Sequence, residues 1–306
     1  MKTLIATEKP FAPKAVEGIR KVFENAAMET VLLEKYTNKQ QLLDAVENVD
    51  AIIIRSDVVD AEILAAAKDL KIVVRAGAGY DNVDLDAATA HKVVVMNTPG
   101  QNANAVAELA LGLMVYAARN GFDGTSGSEL LGKKLGIHAY GNVGRNVARI
   151  AKGFGMEIYA YDAFYPVEAI EKDGVKALSS TEELYTTCQY VSLHIPSTPE
   201  TKKSINYALL TKMPEKAVLI NTARKEVINE EDLVKLLEAR PDFKYLTDIT
   251  PGNDAELREK FPKRYFTTPK KMGAQTAEAN NNAGIAAARQ IVDFFVNGNT
   301  KFQVNK

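Results

Sequence analysis

Short runs of Val, Ile and Leu punctuate the chain, and between them the apolar positions fall back to helical spacing. In the first hundred residues the runs TLIA (3–6), AIII (51–54), KIVV (71–74) and VVVM (93–96) have strand length. Runs that are apolar at nearly every position suit strands covered on both faces, which points to parallel sheets built from βαβ units. The predicted class is α/β. Residues 102–120 then place Val106, Leu109, Ala110, Leu113 and Met114 at the spacing of a long buried helix, with asparagines at its start to cap it. The Gly- and Ser-rich stretch GFDGTSGS at 121–128 signals a loop and reads as the crossing into a second strand series. That series is LGIHAY (135–140), EIYAYD (157–162), YVSLHI (190–195), AVLINT (217–222), YLTDI (245–249) and YFTTP (265–269), enough for a complete dinucleotide-binding sheet. An Ala-rich helix over about 277–297 stops at Asn297 and Gly298 and is placed to return the chain to the first domain.

Composition narrows the function more than the fold. With 306 residues and 46% apolar content, the chain can bury a large core and has the length of about two domains. Its 38 basic and 39 acidic residues leave a formal charge of -1, so no broad field attracts nucleic acid or an anionic membrane. No apolar run reaches the ~18 residues of a membrane span, and the first residues carry too short a run for a secretory signal. Cys188 is the one cysteine, which excludes an internal disulfide and a cysteine zinc site and suits a reducing, cytoplasmic setting. No metal is expected.

The strand LGIHAY leads into Gly141, Asn142, Val143 and Gly144, and a helical pattern follows. A strand, tight turn and helix of this kind can hold a pyrophosphate, because a missing Cβ lets amides at the helix N-terminus approach the anion. The usual GxGxxG would begin at position 139, which is Ala139 here. Alanine disfavours the glycine-type dihedrals, so the turn is expected to keep φ below zero or to be slightly displaced. Asp162 ends the next strand, where a carboxylate would accept the ribose hydroxyls and repel a 2′-phosphate, favouring NAD over NADP.

Beyond this loop several stretches resemble the D-2-hydroxyacid dehydrogenases, and the resemblance covers almost the whole chain. RAGAGYDNVDL (75–85) resembles that family's substrate-carboxylate loop, and NTPGQNANAVAELALGLM (97–114) resembles its interdomain helix. HIPSTPETKKSIN (194–206) and NTARKEVINEEDLVKLL (221–237) follow its cofactor-domain pattern. The resemblance implies two Rossmann-like parallel-sheet domains with a cleft between them. One is a flavodoxin-like substrate domain over 1–98 plus 285–306, the other an NAD-binding Rossmann domain over 99–284. It also implies a homodimer.

Carried over residue by residue, the pattern makes His194, Pro196, Thr222, Ala223 and Gly273 cofactor contacts, and has Asp248 bind the nicotinamide carboxamide. Arg224 ends a strand where ligands of open α/β sheets bind; the family uses the matching guanidinium to clamp the substrate carboxylate and polarise the keto oxygen. Backbone amides of Ala76, Gly77 and Ala78 would complete the carboxylate site. Arg55 and Arg75 end neighbouring strands; if both point into the cleft they form a second anion site, as a phosphorylated hydroxy acid requires. Phosphoglycerate-oxidising members carry arginines at these places, so 3-phosphoglycerate is the expected substrate. The alternatives are glyoxylate or hydroxypyruvate reduction, or a non-catalytic NAD-sensing corepressor. The chain leaves no room for the serine-sensing domain of longer members, and no feedback through such a module is expected.

One departure is chemical. The family carries a catalytic His in a stretch like TPHIGA, held by a Glu, but His91, His138 and His194 all lie too early in this chain. His138 reads as a packed core residue, His91 as a surface one and His194 as part of the cofactor-pocket wall. Counting back from GAQT at 273–276, the His position falls on Lys271, after Lys270, and the Glu position falls near Asn253. The two replacements belong together. A carboxylate beside an ammonium would push its pKa, near ~10.4 when free, still higher, whereas burial and the positive charge of Arg224 and Lys270 favour the neutral amine. Lys271 is therefore the expected general base in oxidation and general acid in reduction. Glu256 and Glu259 are the carboxylates that would substitute for the missing Glu.

Overall fold

The computed structural model describes residues 1–305, which divide into two compact units: 1–102 with the described residues from 275 on, and 103–274. The first unit opens with β1 (Lys2–Thr7), α1 (Pro13–Asn25), β2 (Glu29–Glu34), α2 (Lys39–Val46), β3 (Ala51–Ile54), α3 (Ala61–Ala66), β4 (Ile72–Arg75), α4 (Leu85–Ala90) and β5 (Val94–Asn97). The strands are parallel in the order β2-β1-β3-β4-β5, the flavodoxin-like arrangement. All four residues of β3 are buried, as a strand covered on both faces requires. The sequence pattern missed β2. That strand lies at the sheet edge, is bounded by Glu29 and Glu34, and is half-buried over most of its length, so it lacks the apolar run that marks an interior strand.

The second unit comprises α5 (Ala103–Ala118), β6 (Lys134–His138), α6 (Asn142–Gly153), β7 (Glu157–Tyr161), α7 (Val167–Lys172), β8 (Lys176–Ala177), α8 (Thr181–Thr187), β9 (Tyr190–Leu193), α9 (Tyr207–Leu210), β10 (Val218–Asn221), α10 (Glu230–Ala239), β11 (Lys244–Thr247), α11 (Asp254–Lys260) and β12 (Tyr265–Thr267). Its seven parallel strands run β12-β11-β10-β9-β6-β7-β8, so order reverses between β6 and β9, the switch point where such sheets bind ligands. Two buried clusters cover the faces: one joins α5 and α6 through Leu113, Met114, Val147 and Ala151, the other centres on Leu184, Leu233, Leu236 and Phe243.

The last helix, α12 (Ala277–Asn297), belongs to the first unit and packs on α1. Thr276 caps its first turn through Ala279 N–H, and Gly298 ends it at φ +67. Close approach rests on small residues: a Cβ on Gly284 would lie 2.8 Å from Ile19 Cδ1, and one on Gly18 2.8 Å from Ile285 Cδ1. Because α12 is unbroken, the division falls after residue 274 rather than 284; the other boundary precedes α5 at 103, not residue 99. The loop at 121–128 thus lies inside the second unit and is not the crossing, since α5 packs against α6 and the second sheet. Among the described residues no helix is long and apolar enough to cross a membrane.

Candidate active site

At the end of β6 the turn departs from expectation. Ala139 takes φ +78, the left-handed conformation, and its amide still bonds the Tyr161 carbonyl at 2.9 Å. The loop is therefore not displaced and φ is not negative: alanine occupies glycine's conformation, at roughly 1–2 kcal/mol. Its neighbours explain why. A Cβ on Gly144 would overlap the Ala139 carbonyl, so helix and strand meet at backbone distance, whereas a Cβ on Gly141, the residue before α6, would meet nothing within 4 Å. Gly141, Asn142 and Val143 thus present an open first turn with unpaired amides, which fits a dinucleotide pyrophosphate. Arg145 adds positive charge to that turn, held by Asn142 Oδ1 at 2.8 Å and the Tyr165 hydroxyl at 3.1 Å. It escaped the sequence reading, although a basic residue directly after the last motif glycine was the available signal.

Asp162 is engaged within the chain. Its Oδ2 accepts Tyr140 N–H at 2.7 Å, and its Oδ1 accepts the amides of Phe164 and Tyr165 at 2.8 and 2.9 Å. The carboxylate ties the loop after β6 to the turn after β7, leaving it rigid with lone-pair capacity to spare. Beside it opens a cavity of about 420 Å³, lined among others by Ala139, Phe164, Ile195, Pro196 and Leu209. Phe164 sits on its rim with 96% of its surface exposed, on a turn pinned by Asp162.

His138 is buried, as expected of a packed strand residue. His138 lines this cavity, whereas His194 does not. His194 donates its amide to the His138 carbonyl at 2.9 Å, and its Nε2 is buried without a partner. His138 Nδ1 lies 3.3 Å from the Tyr185 hydroxyl. Burial pushes His138 down to about 4; burial and then the nearby His138 push His194 to about 3, so both are neutral at pH 7. His91 is exposed at the end of α4, as expected.

A second group gathers where β10, β11 and β12 end. Asn221, fully buried, accepts Ala223 N–H at 2.9 Å and donates to the Arg224 carbonyl at 3.0 Å, shaping the turn that carries Thr222, Ala223 and Arg224. Arg224 Nη1 bonds the Ala223 carbonyl at 2.9 Å, and among the described residues no carboxylate pairs with this guanidinium. Thr222 Oγ1 is buried without a partner, a polar atom left for a ligand. Asp248, 1% exposed, accepts hydrogen bonds from Thr268 Oγ1, Met272 N–H and Gly273 N–H. Lys270 and Lys271 lie in the loop so held and are exposed. The burial expected to favour a neutral Lys271 amine is therefore not found in this conformation, because its loop faces solvent. Asn253 precedes α11 and donates to the Glu230 carbonyl at 3.4 Å; Glu256 pairs with Lys260 at 2.9 Å and Glu259 is exposed.

In the first unit the ends of β3 and β4 are stitched together. Arg75 Nε donates to the Arg55 carbonyl at 2.9 Å, and its guanidinium lies where a Cβ on Gly77 would be. Gly77 is at φ +152, so both the backbone and the arginine require glycine there. Arg55 is already engaged: Nη1 bonds the carbonyls of Lys9 and Pro10 at 3.1 and 3.0 Å, Nη2 bonds Asn280 Oδ1 at 2.6 Å, and the group lies over the Phe11 ring. Its first task is structural, tying the loop after β1 to α12. Two of the three amides expected to bind carboxylate are also used internally, Ala76 N–H by Ile54 O at 2.8 Å and Gly77 N–H by Arg75 O at 2.9 Å. Ala78 is the exposed one. Among the described residues no cluster of three His, Cys, Asp or Glu could hold a metal ion.

Residues 110–269 match the family described as D-isomer specific 2-hydroxyacid dehydrogenase, NAD binding domain. The chain is 36% identical over 282 residues to a hydroxypyruvate reductase of Thermotoga maritima, covering 86% of this chain and 90% of that one. It is 34% identical over 270 residues to a D-3-phosphoglycerate dehydrogenase of Methanocaldococcus jannaschii, covering 83% of this chain but only 51% of the relative. The chain thus spans about half the length of the curated D-3-phosphoglycerate dehydrogenases it matches. Among solved structures, the NAD+-bound 3-phosphoglycerate dehydrogenase of Entamoeba histolytica is similar at 48% identity and a TM-score of 0.88, covering 100% of this chain and 99% of that one.

Proposed function

This chain belongs to the D-isomer-specific 2-hydroxyacid dehydrogenases, and on that premise we propose that it is a D-3-phosphoglycerate dehydrogenase, oxidising 3-phosphoglycerate to 3-phosphohydroxypyruvate at the head of serine synthesis. One observation carries the choice of substrate: the likeness to the Entamoeba histolytica 3-phosphoglycerate dehydrogenase runs the full length of both chains. The cofactor is NAD, which when bound accepts the hydride from substrate C2. The open turn at Gly141–Gly144 holds its pyrophosphate, and the Asp162 carboxylate disfavours a 2′-phosphate. Arg224 clamps the substrate carboxylate and polarises the C2 oxygen, for which an arginine without a carboxylate partner is suited. Lys271 takes the hydroxyl proton in oxidation and returns it in reduction. Arg75 supplies the substrate phosphate with a cation, and Arg55 reaches that group with the donors its carbonyl and Asn280 bonds leave over. The enzyme works as a cytoplasmic homodimer.

NADH absorbance with 3-phosphohydroxypyruvate and with hydroxypyruvate tests this. We expect kcat/KM to favour the phosphorylated substrate at least tenfold, Arg55→Ala and Arg75→Ala to harm it selectively, and Lys271→Ala to abolish turnover while NADH still binds. Hydroxypyruvate reduction is the second reading, favoured by the Thermotoga maritima relative and by the engagement of Arg55; equal rates on both substrates would establish it.

A further inference from the structure

In the first unit one buried carboxylate decides where the two strand-end arginines stand. Asp57 follows β3 and is 4% exposed. Its Oδ1 accepts Glu8 N–H at 2.6 Å and the Tyr36 hydroxyl at 2.8 Å, and its Oδ2 accepts Arg55 N–H at 3.1 Å. Burial, and then the Asp57 carboxylate, push the Tyr36 hydroxyl well above its ordinary value, so it stays protonated and donates. The three donors lie in the loops after β1, β2 and β3, which are neighbours in the sheet. Asp57 therefore ties three adjoining strand ends to one point, on the edge where open α/β sheets bind ligands.

Both arginines hang from that point. The Asp57 bond fixes the Arg55 main chain, and the Arg55 carbonyl in turn accepts Arg75 Nε at 2.9 Å and Asn82 Nδ2 at 3.3 Å. Asn82 closes the circle by donating to the Asp57 carbonyl at 2.6 Å. The Arg55 guanidinium rests on the carbonyls of Lys9 and Pro10, in the loop that the Glu8 bond pins to Asp57. One side chain thus holds the root of Arg55, the surface its guanidinium lies on and the anchor of Arg75. Like charges at adjacent strand ends repel, so anchors are needed to keep both aimed at a single anion.

We propose that Asp57 is a positioning residue: by fixing Arg55 and, through the Arg55 carbonyl, Arg75, it sets the preference for a phosphorylated hydroxy acid. This rests on the two arginines meeting the substrate phosphate. A carboxylate has the same sign as that phosphate, and its oxygens are taken up by the chain, so it acts through the arginines. Asp57→Asn keeps the side-chain volume but turns one acceptor into a donor, which then faces either the Glu8 and Tyr36 donors or the Arg55 amide. Tyr36→Phe removes one donor, leaves the Glu8 and Arg55 bonds, and carries the same test if the Asn variant does not fold.

The experiment measures kcat/KM with NADH for 3-phosphohydroxypyruvate and for hydroxypyruvate, on the full chain and on both variants, and reads the ratio of the two. A purely structural role lowers the amount of active enzyme, which reduces both values alike and leaves the ratio intact. Misplaced arginines predict a fall in the ratio of about fivefold to twentyfold for Asp57→Asn and about twofold to fivefold for Tyr36→Phe, carried by KM of the phosphorylated substrate. In an Arg55→Ala background Asp57→Asn should cost less than it does alone, because one of the groups it positions is already gone. An unchanged ratio in both variants, with Arg55→Ala lowering it, would overturn the proposal, and so would full additivity of the double variant. A wild-type chain that does not prefer the phosphorylated substrate would instead remove the substrate reading, and the proposal with it.

Discussion

The turn after β6 in the second unit and the turn after β4 in the first solve a similar problem in opposite ways. Each lies at the C-terminal end of a parallel strand, and each contains a residue at positive φ, Ala139 at +78 and Gly77 at +152. After β6 the space over Gly141 stays open and a helix begins at once, so an anion would be met by backbone amides. After β4 the guanidinium of Arg75 fills the space over Gly77, so an anion there would be met by a side chain. A backbone cradle tolerates an alanine at its strained position because the neighbouring glycines provide the clearance. A side-chain cradle does not, because the cation itself occupies the room a Cβ would need.

Gly144→Ala should break the first turn most severely. Its Cβ would overlap the Ala139 carbonyl, which is backbone and cannot rotate away, so a loss of about 3 kcal/mol in denaturant unfolding and weaker NADH binding are expected. Wild-type stability in that variant would show that helix and strand have room to part. Acid should separate the units next. His138, lowered from 6.5 to about 4 by burial, contributes stability that is complete above about pH 6.5 and is lost as pH falls toward 4, ~3 kcal/mol in all. The sign follows because the unfolded chain binds the proton first. His138 and His194 lie in the second unit and the first holds only exposed His91, so hydrogen exchange should find β6 and β9 losing protection at pH 5 before β3 and β4. Equal loss in both units would contradict that assignment.

Gly77→Ala sharpens the other half of the comparison. It combines a disfavoured φ with displacement of the Arg75 guanidinium, so about 2 kcal/mol of stability should go. KM for the phosphorylated substrate should rise while NADH affinity stays. An unchanged KM would mean that Arg75 does not meet substrate. Smallest and opposite in sign, Ala139→Gly should stabilise by about 0.5–1 kcal/mol, the relieved strain exceeding the entropy that glycine adds to the unfolded chain. A destabilised variant would show that the alanine methyl packs well enough to repay its conformation.

Much of the fold was legible because interior parallel strands write themselves as continuous apolar runs: β3 and β9 are buried at every residue and were predicted within a residue or two. Strands without that pressure were missed, β2 because an edge strand is only half-buried and β8 because it has two residues. The glycine turn was readable for a related reason, since strand, glycines and helix follow one another within a few residues. What it leaves unsaid is the φ of Ala139, which the packing of α6 on β6 imposes.

Local pattern thus determined the α/β class, the two strand series and the cofactor turn, while the candidate roles of Arg224 and Lys271 came from the family resemblance. Tertiary structure alone decided which groups are already engaged. Asp248 meets donors 20, 24 and 25 positions away, and Arg55 meets Asn280 across 225. Periodicity reports only whether a side chain is buried, because burial is set by the element it sits on. A hydrogen bond has a direction and a length of about 3 Å, and those exist only once distant strand ends have been brought side by side.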